Sequence, residues 1–369
     1  MLFLLKNVFM TVKSYTNNDY LLFDDPLKIF SAMIDDIKRA EIRIFLQTYK
    51  FTNDSIGQKF RDELTQKAKQ GLDVYVLIDS WGAGVSESFF AEFINYGGKL
   101  KFFEKIKFSF DIFSRNHRRN HRKLLIIDSD ITYIGSANIT GYCINWRECV
   151  IRIKNDIAHK FEKIFLNDFE ISNKFYQNKK LSTRLIRHND IEIIRDVPGN
   201  IRQPVRGKFK KLINAAKEKI IIETPYFLPG SSLRKAIIKA ANRGVEVVII
   251  TPLHSDLTLF DILRDKYFGL YYKKQIKILQ YLPSNLHAKV MLVDSKLFFT
   301  GSSNFDYRSL RFMHEINIYG DNPDLANLLK KHLHQTMLDC TEFNFEKWRN
   351  RPYFQKIIEA LLVPLRHLF

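Results

Sequence analysis

Cysteine is scarce: Cys143, Cys149 and Cys340 are all that the 369 residues hold. Their spacing fits neither a zinc site nor a disulfide framework, and it suits a reducing compartment. Long apolar runs are missing as well. No stretch approaches the ~20 consecutive apolar residues of a membrane span, so no transmembrane helix is expected. The opening segment MLFLLKNVFMTVK is apolar but interrupted by Lys6. It lacks the basic start and small-residue cleavage site of a secretory leader, and reads as a short packing or interfacial segment. Acid is also in deficit, with 40 Asp and Glu against 58 Lys and Arg and a formal net charge of +18. That balance favours nucleic acid, an anionic membrane or a phosphorylated substrate, without choosing among them.

What is present is a large apolar fraction, 46% with 31 Phe, which excludes a disordered chain and fills a sizeable core. The length suits two units of roughly 150–200 residues. Those units are copies of each other. FSAMIDDIKRAEIRIFLQTYKF (30–51) and FKKLINAAKEKIIIETPYFLP (209–229) each predict an amphipathic helix and then a buried strand, with Tyr49 and Tyr226 each eight residues beyond a glutamate. AKQGLDVYVLID (68–79) and ANRGVEVVIITP (241–252) each predict a helix stopped by glycine and a β-branched strand. HRKLLIIDSDITYIGSANIT (121–140) and HAKVMLVDSKLFFTGSSNFD (287–306) keep His, Lys, Asp, Gly-Ser and Asn at identical spacing. Three matched blocks in one order predict a tandem duplication of an α/β unit, each with a mixed sheet flanked by helices and the active site between the two. The halves are taken as 1–188 and 189–369, the charged stretch with Pro198 and Gly199 lying near the join and the run LIRHNDIEIIRDV opening the second half.

The repeated phrase has the composition of an oxyanion site that carries its own nucleophile. Residues two apart on a strand share a face, so His121 with Lys123, and His287 with Lys289, point the same way at a strand mouth. Lysine neutralises charge, the serine hydroxyls of Ser136 and Ser302 and the amides of Asn138 and Asn304 donate hydrogen bonds, and a neutral imidazole can attack phosphorus. Two such sets face to face place a nucleophile and a general acid on opposite sides of one phosphate. Each imidazole needs an orienting partner, and the candidates are Glu148 and Glu315, each expected to begin a strand beside the strand that follows the histidine. Asp128 and Asp294 lie far along that strand and are expected to hold structure. Around His121 the run NHRRNHRK adds Arg115, His117, Arg118 and Arg119, expected to gather anionic headgroups at the mouth.

The paired H-x-K-x4-D-x6-G-S phrases resemble the HKD motifs of the phospholipase D superfamily. The TPYFLP block (224–229), GSSNFDYRSLRFMHEIN (301–317), NWRE (145–148) and the tail pattern RP then LLVPL are similar to bacterial cardiolipin synthases of the short type without transmembrane helices. That resemblance implies catalysis through a phosphohistidine, His121 attacking and His287 serving as acid and base, with no metal and no cofactor. It implies transfer of a phosphatidyl group between phosphatidylglycerol molecules with release of glycerol, by a protein peripheral to the cytoplasmic side of a bacterial membrane. Membrane contact is expected from the Phe-rich stretch 102–113 and the tail 353–369, where Phe and Leu interleave with Lys and Arg. Other readings are a hydrolytic phospholipase D, a nuclease of the same superfamily whose charge tracks a nucleic acid backbone, and a non-catalytic binder of anionic lipid. Two intact His, Lys and Asn sets argue against the last.

Overall fold

Each half begins with a capped helix that delivers the chain into a buried strand. The structure, a computed structural model, describes residues 19–104, 118–172, 185–198 and 203–364. In the first half, α1 (Pro26–Arg39) starts at Asp25, whose carboxylate accepts from the amide of Lys28 at 3.0 Å, with Pro26 in the first turn. Asp54 does the same for α2 (Ser55–Lys69) through the amides of Ile56 and Gly57. Such a cap stabilises a helix by about 1 kcal/mol. Gly71 and Gly244 end α2 and its counterpart in the second half, the helix Ser231–Asn242, at φ of 85° and 87°, a conformation that costs a residue with a Cβ.

The strands of the first half are β1 (Tyr20–Phe23), β2 (Arg43–Thr48), β3 (Asp73–Asp79), β4 (Lys99–Phe103), β5 (Leu124–Ile127), β6 (Ile131–Gly135) and β7 (Val150–Lys154). They form one sheet in the order β1-β7-β6-β5-β2-β3-β4. β2, β3 and β4 run parallel, as helical crossovers require, and β5, β6, β7 and β1 pair antiparallel. Helix α3 (Ala158–Ile171) follows β7.

The second half repeats the pattern with β8 (Ile186–His188), β9 (Ile191–Asp196), β10 (Lys219–Glu223), β11 (Glu246–Pro252), β12 (Lys277–Tyr281), β13 (Val290–Val293), β14 (Leu297–Gly301), β15 (Met313–Gly320) and β16 (Cys340–Glu342). Its order is β8-β9-β15-β14-β13-β10-β11-β12-β16. The hairpin β8–β9 belongs wholly to this second sheet. Its longer helices are α4 (Pro204–Ala215), α5 (Ser231–Asn242), α6 (Thr258–Tyr272), α7 (Pro323–Leu338) and α8 (Tyr353–Leu362).

The two sheets share one core. Phe45, Leu124 and Ile151 of the first meet Val248, Val290 and Ile316 of the second through Phe161 and Phe165 of α3 and Leu325, Leu329 and Leu333 of α7. Helices α1 and α2 cover the outer face of the first sheet, and α4 and α5 that of the second. Burying aliphatic and Phe side chains stabilises the fold by roughly 1.5–3 kcal/mol each, so the halves are not separable without exposing this layer. Among the described residues no helix is long and apolar enough to cross a membrane.

Candidate active site

Asp128 and Asp294 set the motif in place from the far end of the strand. Each begins the turn after it with positive φ (51° and 52°), which aspartate tolerates better than most residues. The Asp128 carboxylate accepts from the amides of Glu41, Ile42 and Arg43 at 2.8–2.9 Å. Asp294 holds Lys217, Glu218 and Lys219 at 2.9–3.0 Å in the same manner. These contacts tie β5 to the start of β2 and β13 to the start of β10, which sets the register of the strand leading back to each histidine.

At the other end the halves exchange segments. Arg119–Asn120 adds as a short parallel strand to Met313–His314, and Arg147 bridges Leu286. The amide of His121 donates to the carbonyl of His314 at 3.0 Å, and that of His287 to Arg147 at 2.7 Å. Each histidine segment therefore runs beside the residues just before the glutamate of the opposite half. The result is a crossed pairing: His121 Nδ1 lies 3.1 Å from Glu315 Oε1, and His287 Nδ1 lies 2.9 Å from Glu148 Oε1. The expected placement of each glutamate beside the strand that follows the histidine does not hold. β6 and β14 intervene, because Asp128-Ser129 and Asp294-Ser295 fold the chain into tight hairpins that pair β5 with β6 and β13 with β14.

The serines also differ from their expected role as phosphate donors. Ser136 Oγ donates to Glu148 Oε2 and Ser302 Oγ to Glu315 Oε2, and both serines are fully buried. They brace the carboxylates. The glycine before each makes this approach possible: a Cβ on Gly135 would stand 2.2 Å from the Cys149 carbonyl oxygen, and one on Gly301 2.4 Å from that of Ile316. Ser309, which sequence reasoning overlooked, adds a third donor, its hydroxyl 2.6 Å from Glu315 Oε1. It lies inside the FDYRSL block, but nothing in its spacing separates it from its neighbours.

Lys123 and Lys289 are buried behind the histidines, each ammonium donating to the carbonyl of its own histidine, at 2.8 and 2.5 Å. Burial, with Lys123 adding to it, lowers the His121 pKa to about 4, and burial likewise lowers that of His287. Burial thus favours the neutral form of both rings, with Nδ1 engaged by a glutamate and Nε2 left for chemistry. Burial tends to raise Glu148 and Glu315, but the imidazoles and serine hydroxyls outweigh it and both remain below the usual carboxylate range. Burial, together with repulsion from Lys289, brings Lys123 down to about 7, and burial brings Lys289 to about 8.

Burial outweighs the pull of the Glu315 and Glu148 carboxylates on both lysines, so a further anion nearby would favour their charged form. An oxyanion arriving between them stabilises the protonated lysines and raises their pKa, so binding takes up protons at any pH above the free values. Affinity for an anion of fixed charge, such as inorganic sulfate, is therefore fullest well below pH 7 and falls as pH rises through 7 and 8, by up to about tenfold per pH unit for each lysine. Calorimetric titration in two buffers of different ionisation enthalpy measures the uptake. Proton release, or affinity that does not change with pH, would contradict the assignment.

His121, His287, Asn138 and Asn304 all line one cavity of about 330 Å³, large enough for a phosphodiester headgroup. Asn138 accepts from the Lys50 amide at 3.3 Å, while Asn304 Oδ1, buried at the wall, has no protein partner. Rings pin the imidazoles, Tyr49 edge-on to His121 at 5.3 Å and Trp146 to His287 at 5.2 Å. Lys50, Arg308, Asp256 and Asp306 complete the polar lining. Tyr49 and Tyr226, prominent in the repeat, both reach it; Trp146 and Lys50 had no counterpart in the other copy to mark them.

The basic run before His121 divides. Arg119 is buried, its guanidinium donating to Ser80 Oγ and the Glu104 carbonyl at 3.1 Å, because the short strand it belongs to enters the interface. It cannot gather headgroups at the mouth. Arg115 and His117 lie outside the described residues, as does the N-terminal apolar segment. Of the stretch 102–113, Phe102 and Phe103 are buried in β4, and the part beyond Glu104 lies outside the described residues. Among the described residues no three His, Cys, Asp or Glu side chains gather as metal ligands would.

Comparison with known proteins places the chain among its relatives. The profile for "Cardiolipin synthase, PLD-like domain" matches twice, over residues 33–169 and 209–337. Cardiolipin synthase of Clostridium perfringens (strain SM101) is 31% identical over 369 residues, covering 95% of this chain and 77% of the relative. That of Listeria welshimeri is 31% identical over 358 residues, covering 94% and 74%. Among solved structures, phosphatidylserine synthase of Haemophilus influenzae superposes with a TM-score of 0.76 at 15% identity, covering 96% of this chain and 94% of that one, which is a likeness of fold. With two PLD-like repeats and relatives of this similarity along nearly its whole length, the chain belongs to the cardiolipin synthase family of phospholipase D-like phosphatidyltransferases.

Proposed function

We propose that the protein makes cardiolipin from two molecules of phosphatidylglycerol. The carrying observation is the pair of glutamate-oriented imidazoles facing one headgroup-sized cavity. In the first step Nε2 of one histidine, taken as His121 by analogy with the family, attacks phosphorus. The P–N bond forms as the bond to the glycerol oxygen breaks, and the other histidine, which takes up a proton from solvent once the anionic phosphodiester sits beside it and its glutamate, gives that oxygen this proton. In the second step this now neutral histidine removes the proton from a hydroxyl of a second phosphatidylglycerol. The alkoxide attacks phosphorus, the P–N bond breaks, and the starting imidazole is restored. Glu315 and Glu148 stabilise whichever ring is cationic, and Lys123 and Lys289 balance the negative charge on the phosphoryl oxygens.

Lipid is favoured over nucleic acid by the apolar rim: Trp81, Tyr142 and Leu257 line the cavity and remain exposed. Such a rim also disfavours water as acceptor, which separates a transferase from a hydrolase. The protein acts at the periphery of the cytoplasmic face of a bacterial membrane.

Incubation with phosphatidylglycerol vesicles in the presence of EDTA is expected to yield cardiolipin and glycerol at an undiminished rate, because lysines and not a metal carry the counter-charge. Strict dependence on added metal would overturn the mechanism. Phosphatidic acid in place of cardiolipin would make the protein a hydrolase, and cleavage of single-stranded DNA with untouched lipid would make it a nuclease.

A further inference from the structure

Helix α8 is patterned inside out. Its one acid, Glu359, is buried and held by Arg351 in a two-pronged ion pair at 2.6 and 2.7 Å. Its outward stripe is apolar: Tyr353 is 77% exposed, Phe354 65%, Ile357 47% and Leu361 68%, and Ala360 and Pro364 are exposed beside them. At 3.6 residues per turn these positions fall within one continuous third of the helix surface. An ordinary surface helix turns its acid outward and its Phe and Leu inward. Lys356 on this helix is exposed beside the stripe, and Lys347 and Arg349 of the preceding short helix are exposed as well, Arg349 paired with the exposed Glu346 at 2.7 Å.

The position of the helix gives the stripe its meaning. α8 packs on α6, and its last turn, Leu362 with Val363, joins the cluster of Phe260, Leu263 and Tyr226. Phe260 and Tyr226 are themselves walls of the catalytic cavity. Leu257 and Leu259, just before and at the start of α6, are also exposed, so an apolar surface runs along the cavity's edge. The cavity holds a headgroup and has no room for acyl chains.

We propose that α8 is the element by which this protein docks on an anionic bilayer, its apolar stripe sunk at the headgroup level and its basic flank on the lipid phosphates, so that a headgroup enters the cavity while its acyl chains stay in the membrane. The proposal rests on the lipid reading of the site and names the surface that serves it. Apolar residues next to exposed lysines match an anionic interface better than a protein partner.

The test compares the full chain with a variant carrying Phe354→Glu, Ile357→Glu and Leu361→Glu. Flotation with phosphatidylcholine vesicles, with and without phosphatidylglycerol, reads docking. Turnover of a short-chain phosphatidylglycerol dissolved as monomers reads the chemistry. The full chain is expected to float with the phosphatidylglycerol vesicles and the variant to lose about tenfold or more of that binding, while both turn over the dissolved lipid equally. Equal vesicle binding by the two proteins overturns the proposal. So does a full chain that is dimeric by light scattering, with a monomeric variant that still binds vesicles, since the stripe then faces a second copy. If neither protein acts on the dissolved lipid but the variant alone loses vesicle binding, docking stands and the transfer reading falls. Phe354→Trp, which leaves the apolar stripe intact, gives an independent readout: its emission shifts to the blue on adding vesicles, and an unshifted spectrum overturns the proposal.

Discussion

Alanine at His121 or at His287 is expected to lower the rate of phosphatidyl transfer by about 10,000-fold or more. One substitution removes the atom that bonds phosphorus and the other the proton that the leaving alkoxide requires, and neither loss can be shared by a neighbour. The other basic side chains that line the cavity are Lys50 and Arg308, and neither is an imidazole. Combining the two substitutions should cost little more than either, because the residues act as one unit. The near-symmetry of the two sets hides which ring attacks. Trapping separates them: the variant retaining the nucleophile should still form a phosphoenzyme from a substrate with a good leaving group, and the other should not. A variant of either histidine keeping a tenth of normal activity would rule out the paired mechanism.

Glutamine at Glu315 or Glu148 is expected to slow the reaction by about 100-fold or more, since an amide can neither fix the imidazole tautomer nor stabilise the imidazolium. The crossed geometry makes the expectation sharper. Glu315 should act on His121 and Glu148 on His287, each across the boundary between the halves. Nitrogen NMR of the histidine rings reads this without activity. Glu315→Gln should move the ring resonances of His121 and leave those of His287, and Glu148→Gln should do the reverse. Shifts confined to the histidine of the same half would show that the halves do not exchange partners.

The crossing also marks how far the sequence could be read. Helix, strand and hairpin order followed from apolar periodicity and from the repeat, because each element is decided by residues within a few positions of it. The glutamates were recognisable as candidates, since each stands a similar distance past its asparagine. Their partners were not, because spacing within a repeat says nothing about which copy a side chain will face. Likewise Ser136 and Ser302 looked like phosphate ligands because serine beside glycine at a strand end is often one. Whether a hydroxyl points to the cavity or to a buried carboxylate depends on the one atom it reaches. Arg119 looked like surface charge because its neighbours are basic, yet strand exchange with Met313 and His314 draws it inside.

The sequence by itself determined the duplication, the two His-Lys-Asn sets and their kinship, because those are matters of residue type at fixed intervals. Tertiary structure alone decided that one half's glutamate serves the other half's histidine, that two buried lysines are tied back to the histidine carbonyls, and that α8 turns its apolar face outward. The reason is the same for all three. Each depends on which surfaces meet when the chain closes over a common core; the crossed histidine–glutamate pairs join residues that lie 139 and 194 positions apart, at separations where local patterning carries no information.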